Sequence, residues 1–85
     1  MNIQLRFFAS LREAVGVSQE SVTVPAEVTS VGALRAYLRE RGGAWAEALG
    51  ETRAVRVACN QVMTDAECGL SDGCEVAFFP PVTGG

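Results

Sequence analysis

The sequence contains no histidine and no lysine, and all seven of its basic side chains are arginines. These two gaps remove whole classes of mechanism. A Ser-His-Asp or Cys-His arrangement, a histidine metal ligand, a Schiff-base lysine and a phosphate-loop lysine each need a residue that is missing here. A self-contained hydrolase, NTPase or zinc enzyme is therefore not expected. Cysteine is scarce and odd in number: Cys59, Cys68 and Cys74 form no CxxC pair, so their spacing suggests neither a disulfide framework nor a zinc knuckle. Free thiols suit a reducing compartment. No stretch approaches the roughly 18 apolar residues of a membrane span. Met1-Asn2-Ile3-Gln4 lacks the basic segment and apolar run of a secretion signal. The expectation is a cytoplasmic protein with no membrane association. Basic charge is also short: seven arginines against ten acidic residues leave a net charge of −3. That balance opposes counterion release, so nucleic acid is not an expected partner.

What remains is the composition of an ordinary small globule, 85 residues with 48% hydrophobic and 20% charged side chains, enough for one core and not two. Ile3-Gln4-Leu5-Arg6-Phe7 alternates with period two, placing Ile3, Leu5 and Phe7 on one strand face and Phe8 on the other. Ser10-Leu11-Arg12-Glu13 has the form of a capping box, with Gly16 as the stop of a short helix. Ser21–Val24 reads as a strand ended by Pro25. Thr29 or Ser30 caps the main helix over Val31–Arg41, where Val31, Leu34 and Leu38 recur at helical spacing and Arg35, Arg39, Glu40 and Arg41 face water. Gly42-Gly43 ends it. Ala44–Leu49 fits one further helical turn that tucks Trp45 under the body. Arg53–Cys59 reads as a strand with Val55, Val57 and Cys59 inward, followed by an Asn60-Gln61 turn and a short strand over Val62-Met63-Thr64. After a second turn at Ser71-Asp72-Gly73, Cys74, Val76 and Phe78 point inward from a last strand. One helix over one small mixed sheet, an α+β fold, buries these faces most economically.

The stretch Phe79-Pro80-Pro81-Val82-Thr83-Gly84-Gly85 is not needed for packing. Two successive prolines stop the strand and favour a stiff, extended arm. At polyproline or extended spacing, residues 80–85 could carry a terminal carboxylate roughly 15–20 Å from the body. The two glycines lack Cβ atoms, so a narrow channel could close on the backbone and leave the terminal carbonyl carbon unhindered. An α-carboxylate is ionised near neutral pH and is a poor electrophile, so it must be activated before it can carry a group. With no phosphate loop of its own, the chain would depend on a separate ATP-using enzyme to form an acyl-adenylate. A sulfur donor could then displace AMP and leave a C-terminal thiocarboxylate.

Glu75-Val76-Ala77-Phe78-Phe79-Pro80-Pro81-Val82-Thr83-Gly84-Gly85 resembles the C-terminal signature of the small-subunit family of molybdopterin synthase, the MoaD family. Leu5-Arg6-Phe7-Phe8-Ala9, Leu11-Arg12-Glu13, Gly16, the Val31–Leu38 helix, Trp45, Asn60-Gln61 and Ser71-Asp72-Gly73 are similar to it in order and spacing, so the resemblance spans the chain. It implies a β-grasp, ubiquitin-like domain over residues 1–79 and an extended tail over 80–85. It implies that Gly85 is adenylated by a ubiquitin-activating-like adenylyltransferase and converted to a thiocarboxylate. Pro81, Val82, Thr83 and Gly84 would then enter the large synthase subunit, where sulfur passes to cyclic pyranopterin monophosphate. The implied complex is a heterotetramer, with Phe8, Met63 and Phe79 forming the apolar face toward the large subunit. The chain would bind no metal or cofactor of its own, ATP being used by the activating enzyme. It would act as a sulfur-carrier subunit without catalytic side chains. Gly-Gly alone also admits a thiamine-pathway carrier or a ubiquitin-like protein modifier; Phe-Phe-Pro-Pro-Val-Thr-Gly-Gly favours the molybdopterin branch.

Other candidates have simpler readings. The cysteines fit small buried hydrophobes better than persulfide acceptors, because no lysine or histidine stands by to lower a thiol pKa. Cys74 departs from the acidic residue that the family often carries after Asp-Gly. Asp65, Glu67, Asp72 and Glu75 fit loop solvation better than a divalent-ion site. Arg35, Arg39 and Arg41 read as a solvated helix face, and Arg6, Arg12 and Arg56 as groups that could meet acidic residues of a partner.

Overall fold

The alternation at the N-terminus produces the central strand of the sheet. In the computed structural model, which describes residues 1–81, β1 spans Asn2–Phe7 and buries Ile3, Leu5 and Phe7 as expected. The elements that follow are α1 (Ala9–Val15), β2 (Gln19–Thr23), α2 (Val31–Arg39), α3 (Gly43–Ala48), β3 (Arg56–Cys59), β4 (Val62–Thr64) and β5 (Glu75–Phe79). The five strands form one mixed sheet in the order β2-β1-β5-β3-β4. The central pair β1/β5 is parallel, with Leu5 opposite Val76 and Phe7 opposite Phe78, and every other pairing is antiparallel. A parallel pair needs a crossover, and the α1-β2-α2-α3 excursion supplies it. This is the β-grasp architecture.

The helix α2 lies over one sheet face. Val31, Leu34 and Leu38 are all buried with Ile3, Leu5, Phe7, Val57, Val76 and Phe78 in one apolar cluster. Ser30 caps α2 by accepting from the Ala33 amide at 3.1 Å, which satisfies one otherwise orphaned donor. At Gly32 the first turn approaches the chain so closely that a Cβ would stand 3.2 Å from both the Ala66 carbonyl oxygen and its Cβ. Phe7 stacks on Phe78 at 5.6 Å and meets the edge of Trp45 at 5.3 Å, so the turn of α3 closes the end of the core as its four-residue Trp45/Leu49 spacing predicts.

Several local expectations are corrected, among them the second strand, which runs over Gln19–Thr23 rather than Ser21–Val24. The Ser10–Glu13 capping box does not form: Phe8 is the N-cap of α1, its carbonyl accepting from Leu11 and Arg12, and no side chain caps the helix. The Phe8 amide still donates to Phe78 at 3.2 Å, so the ladder runs to Phe8 and the chain must turn at Ala9, which has φ +52°. Gly16 does stop α1, in the left-handed region at φ +81°. The main helix ends at Arg39, and β3 begins at Arg56 rather than Arg53. The reason for the late strand start is a turn at Gly50–Arg53, closed by the Arg53 amide on the Gly50 carbonyl at 2.9 Å.

That turn is held by Arg35, which corrects its reading as part of a solvated face. Its guanidinium donates to the carbonyls of Leu49, Gly50 and Arg53 at 2.9, 2.6 and 2.8 Å, so it is a half-buried clamp and not a solvated side chain. Arg41 is also engaged: it donates twice to Glu20 at 3.0 and 2.6 Å and lies 4.4 Å over the Trp45 ring, tying the end of α2 to β2. Among the described residues no helix is long and apolar enough to cross a membrane.

Candidate functional site

Helices cover one face of the sheet; the composition of the other decides what it can bind. Strand alternation puts Asn2, Gln4 and Arg6 of β1, Glu75, Ala77 and Phe79 of β5, and Arg56 and Ala58 of β3 on this open face. The registers then line up Arg6, Ala77, Ala58 and Met63 as one row across β1, β5, β3 and β4. In the neighbouring row Phe79 stands opposite Arg56, and the extended backbone of Phe8 carries its ring onto Phe79 at a centroid distance of 5.3 Å.

Phe8, Met63 and Phe79 are thereby brought to one surface. Met63 is 53% and Phe8 38% exposed, while Phe79 is half-buried against its neighbours. The floor between the rings and Met63 consists of Ala58 and Ala77, which are only 5% and 4% exposed although no helix covers them. Two small residues flanked by two aromatics and a methionine make a shallow apolar depression, the form that interface anchors take. Ala58 and Ala77 were not legible as site residues, since alternation assigns their face and only the register assigns their row. Arg6 borders the patch and is tethered: it stands 3.7 Å from Glu75 and 5.5 Å over the Phe8 ring.

The patch continues into the root of the tail. β5 ends at Phe79, Pro80 is half-buried and Pro81 is exposed. Pro80 and Pro81 line an open groove of about 530 Å³ whose other walls are Leu11 and Ala14 of α1, Ala44 and Ala48 of α3, and Arg53 with Ala54. Val82, Thr83, Gly84 and Gly85, the remaining tail residues singled out in the sequence, lie outside the described residues.

The other chemistry-bearing side chains are taken up by the fold. Cys74 is buried and Cys59 and Cys68 are half-buried, all three packing on the core. Burial, reinforced by the neighbouring Cys74 and Cys68 thiols, pushes the Cys59 thiol up to about 11, so it stays protonated and weakly nucleophilic at neutral pH. Asp65 accepts from the Glu67 amide at 3.0 Å and Asp72 from the Asn2 amide at 2.6 Å, while Glu75 faces Arg6. Asp65 serves its own turn, whereas Asp72 and Glu75 tie to β1, and among the described residues no group of three acidic or cysteine side chains is placed to hold a metal ion.

Comparison with known proteins places the chain in a family. Residues 5–85 match the model of the ThiS family. The molybdopterin synthase sulfur carrier subunit of Escherichia coli (strain K12) is 42% identical over 98% of this chain and 99% of its own. Its namesake in Haemophilus influenzae is 39% identical over the same shares of each chain. Among solved structures, a complex of subunits 1 and 2 of the molybdopterin-converting factor from Helicobacter pylori matches with a TM-score of 0.68 and 27% identity, covering 100% of both chains.

Proposed function

The chain belongs to the ThiS family, and from that premise we propose that it is the sulfur-carrier subunit of a molybdopterin synthase. The observation that carries this reading is its 42% identity, over nearly the whole length of both chains, to a protein of that name. The apolar depression of Phe8, Met63 and Phe79 supports it, because that depression adjoins the root of the tail. A partner covering it would be positioned to take the tail as well.

In this reading the reactive atom is the Gly85 carboxylate. A ubiquitin-activating-like adenylyltransferase joins it to AMP, releasing pyrophosphate from ATP, and makes the carbonyl carbon electrophilic. A donor of sulfide-level sulfur displaces AMP, the carbon–oxygen bond to the adenylate giving way to a carbon–sulfur bond, and leaves a thiocarboxylate, which is anionic at neutral pH and a good nucleophile. The tail, Pro81 through Gly84, threads into the large subunit, and the sulfur attacks a side-chain carbon of cyclic pyranopterin monophosphate, replacing a carbon–oxygen bond whose oxygen leaves as water or stays with the phosphate. Hydrolysis of the resulting acyl–sulfur bond leaves sulfur on the pterin and returns Gly85 as a carboxylate. Two sulfurs make a dithiolene, so two loaded carriers act per product, in keeping with a heterotetramer built on a dimer of large subunits. The carrier holds no cofactor of its own and works in the cytoplasm, where its thiols remain reduced.

Deleting Gly85 tests the assignment. In a system reconstituted from the carrier, the activating enzyme, a sulfur donor, the large subunit and ATP, the truncated chain should fold and yield no molybdopterin. Undiminished product formation would overturn the reading.

A further inference from the structure

A second groove, of about 480 Å³, opens between α2 and the β3–β4 hairpin, and Met63 belongs both to it and to the apolar depression. Val31, Val55 and Val57 make its walls apolar, and its polar lining includes Arg35, Arg56 and Asp65. The chemistry of this groove is settled by which donors are already used. The Val31 and Gly32 amides at the start of α2 donate to the Cys68 and Ala66 carbonyls at 2.9 and 2.8 Å, and the Ala33 amide to Ser30. The Arg35 guanidinium is spent on three carbonyls. Arg56 differs. It is exposed, and among the described residues its guanidinium has neither an ion pair nor a hydrogen bond, a state it shares with Arg12 of α1, whereas Arg6, Arg39, Arg41 and Arg53 each face a glutamate; of the two, Arg56 is the one on the open sheet face.

Arg56 also stands directly across the β3–β5 pair from Phe79. A subunit that covers Phe79 and Met63 therefore removes water from Arg56, and a guanidinium desolvated without a partner is strongly unfavourable. Nothing on the described part of the open face supplies that partner, because Glu75 already faces Arg6. Asp65, on the groove wall, is held to its own turn by the Glu67 amide. Its charge repels an anion approaching along that wall, which leaves the open-sheet side as the approach.

We propose that Arg56 is a specificity residue of the carrier interface: it receives a carboxylate of the large subunit at the mouth of the groove between α2 and the β3–β4 hairpin. This rests on the sulfur-carrier reading for the identity of the partner. The apolar depression then supplies the area, and Arg56 supplies register, discriminating against partners that present a cation or nothing at that position.

The test is calorimetric titration of the large subunit with the full-length wild-type chain, Arg56→Gln, Arg56→Glu and Phe79→Ala, at about 50 mM and about 500 mM salt, a range over which exposed charges pass from weakly to strongly screened. Wild-type affinity should fall with salt. Arg56→Glu should bind at least about tenfold more weakly at low salt, with the gap narrowing at high salt, and Arg56→Gln should lie between with a flatter salt dependence. Arg56→Glu binding like wild type, or a deficit that salt leaves unchanged, overturns the proposal. If Phe79→Ala weakens binding while Arg56→Glu does not, the carrier interface stands and only the assignment of Arg56 falls. Failure of the wild-type chain to bind at all overturns both.

Discussion

Phe79 belongs at once to the last strand and to the proposed interface. It belongs to β5, whose alternate residues Val76 and Phe78 are buried in the core, yet its own ring turns to the open face, against Phe8 and across from Arg56. Because the core side of β5 is complete without it, Phe79→Ala should leave the chain folded at a cost of about 1–2 kcal/mol, the worth of the half-buried ring's contact with Phe8. The same substitution should weaken association with the large subunit by more than about 1 kcal/mol, as truncation of an interface anchor does. Calorimetry showing unchanged affinity would remove Phe79 from the interface. At this scale the sequence was informative wherever a side chain's role depends on its own strand parity: Phe8 and Phe79 oppose Phe7 and Phe78 by alternation alone. It was uninformative for Arg35, whose three acceptors lie 14 to 18 residues away and are backbone atoms with no side-chain signature.

The β3–β4 hairpin carries Met63 and Arg56 on one short element, and its turn is strained. Asn60 and Gln61 both have positive φ, +49° and +69°, as the two-residue turn of type I′ requires. Asn60 suits its position, and its side chain accepts from the Glu75 amide at 3.0 Å, extending the β3–β5 pairing by one link. Gln61 has no such compensation, and glycine is the residue that this second position prefers. Gln61→Gly should therefore raise the urea midpoint, a net gain of about 0.5 kcal/mol after allowing for the greater freedom of glycine in the unfolded chain. A lower midpoint would contradict the strain assigned to the turn. The hairpin itself was legible, since the polar pair Asn60-Gln61 separates two apolar runs. The start of α1 was not. Ser10-Leu11-Arg12-Glu13 has the right letters for a capping box, but the ladder bond from Phe8 to Phe78 decides where the chain turns, and that bond spans the molecule.

Over the whole molecule the two sheet faces divide the labour: one is sealed by α2, and the other is left open with an aromatic pair, a methionine and a guanidinium beside the strand that leads into the tail. Order and type of the elements were readable from periodicity, whereas the row Arg6-Ala77-Ala58-Met63 was not, because it depends on pairing between strands far apart in sequence. Long-range ties also set the pH response. The two bonds from Arg41 hold the Glu20 carboxyl below its ordinary value of 4.5. Stability from this pair is thus fully present above about pH 4.5 and is lost as pH falls through the lowered native value. Between neutral pH and pH about 3, wild type should lose up to about 1 kcal/mol more than Glu20→Gln, a partly exposed bidentate pair being worth no more than that. Equal losses in denaturant titrations would show the pair to be inert. The central claim, that the chain carries sulfur on its own C-terminus, is tested most directly by intact and C-terminal-peptide mass spectrometry of the protein purified from its native host. The predicted result is a fraction heavier by the exchange of one oxygen for one sulfur, localised to Gly85; a chain found only as the free carboxylate, or only joined through Gly85 to lysines of other proteins, would contradict it.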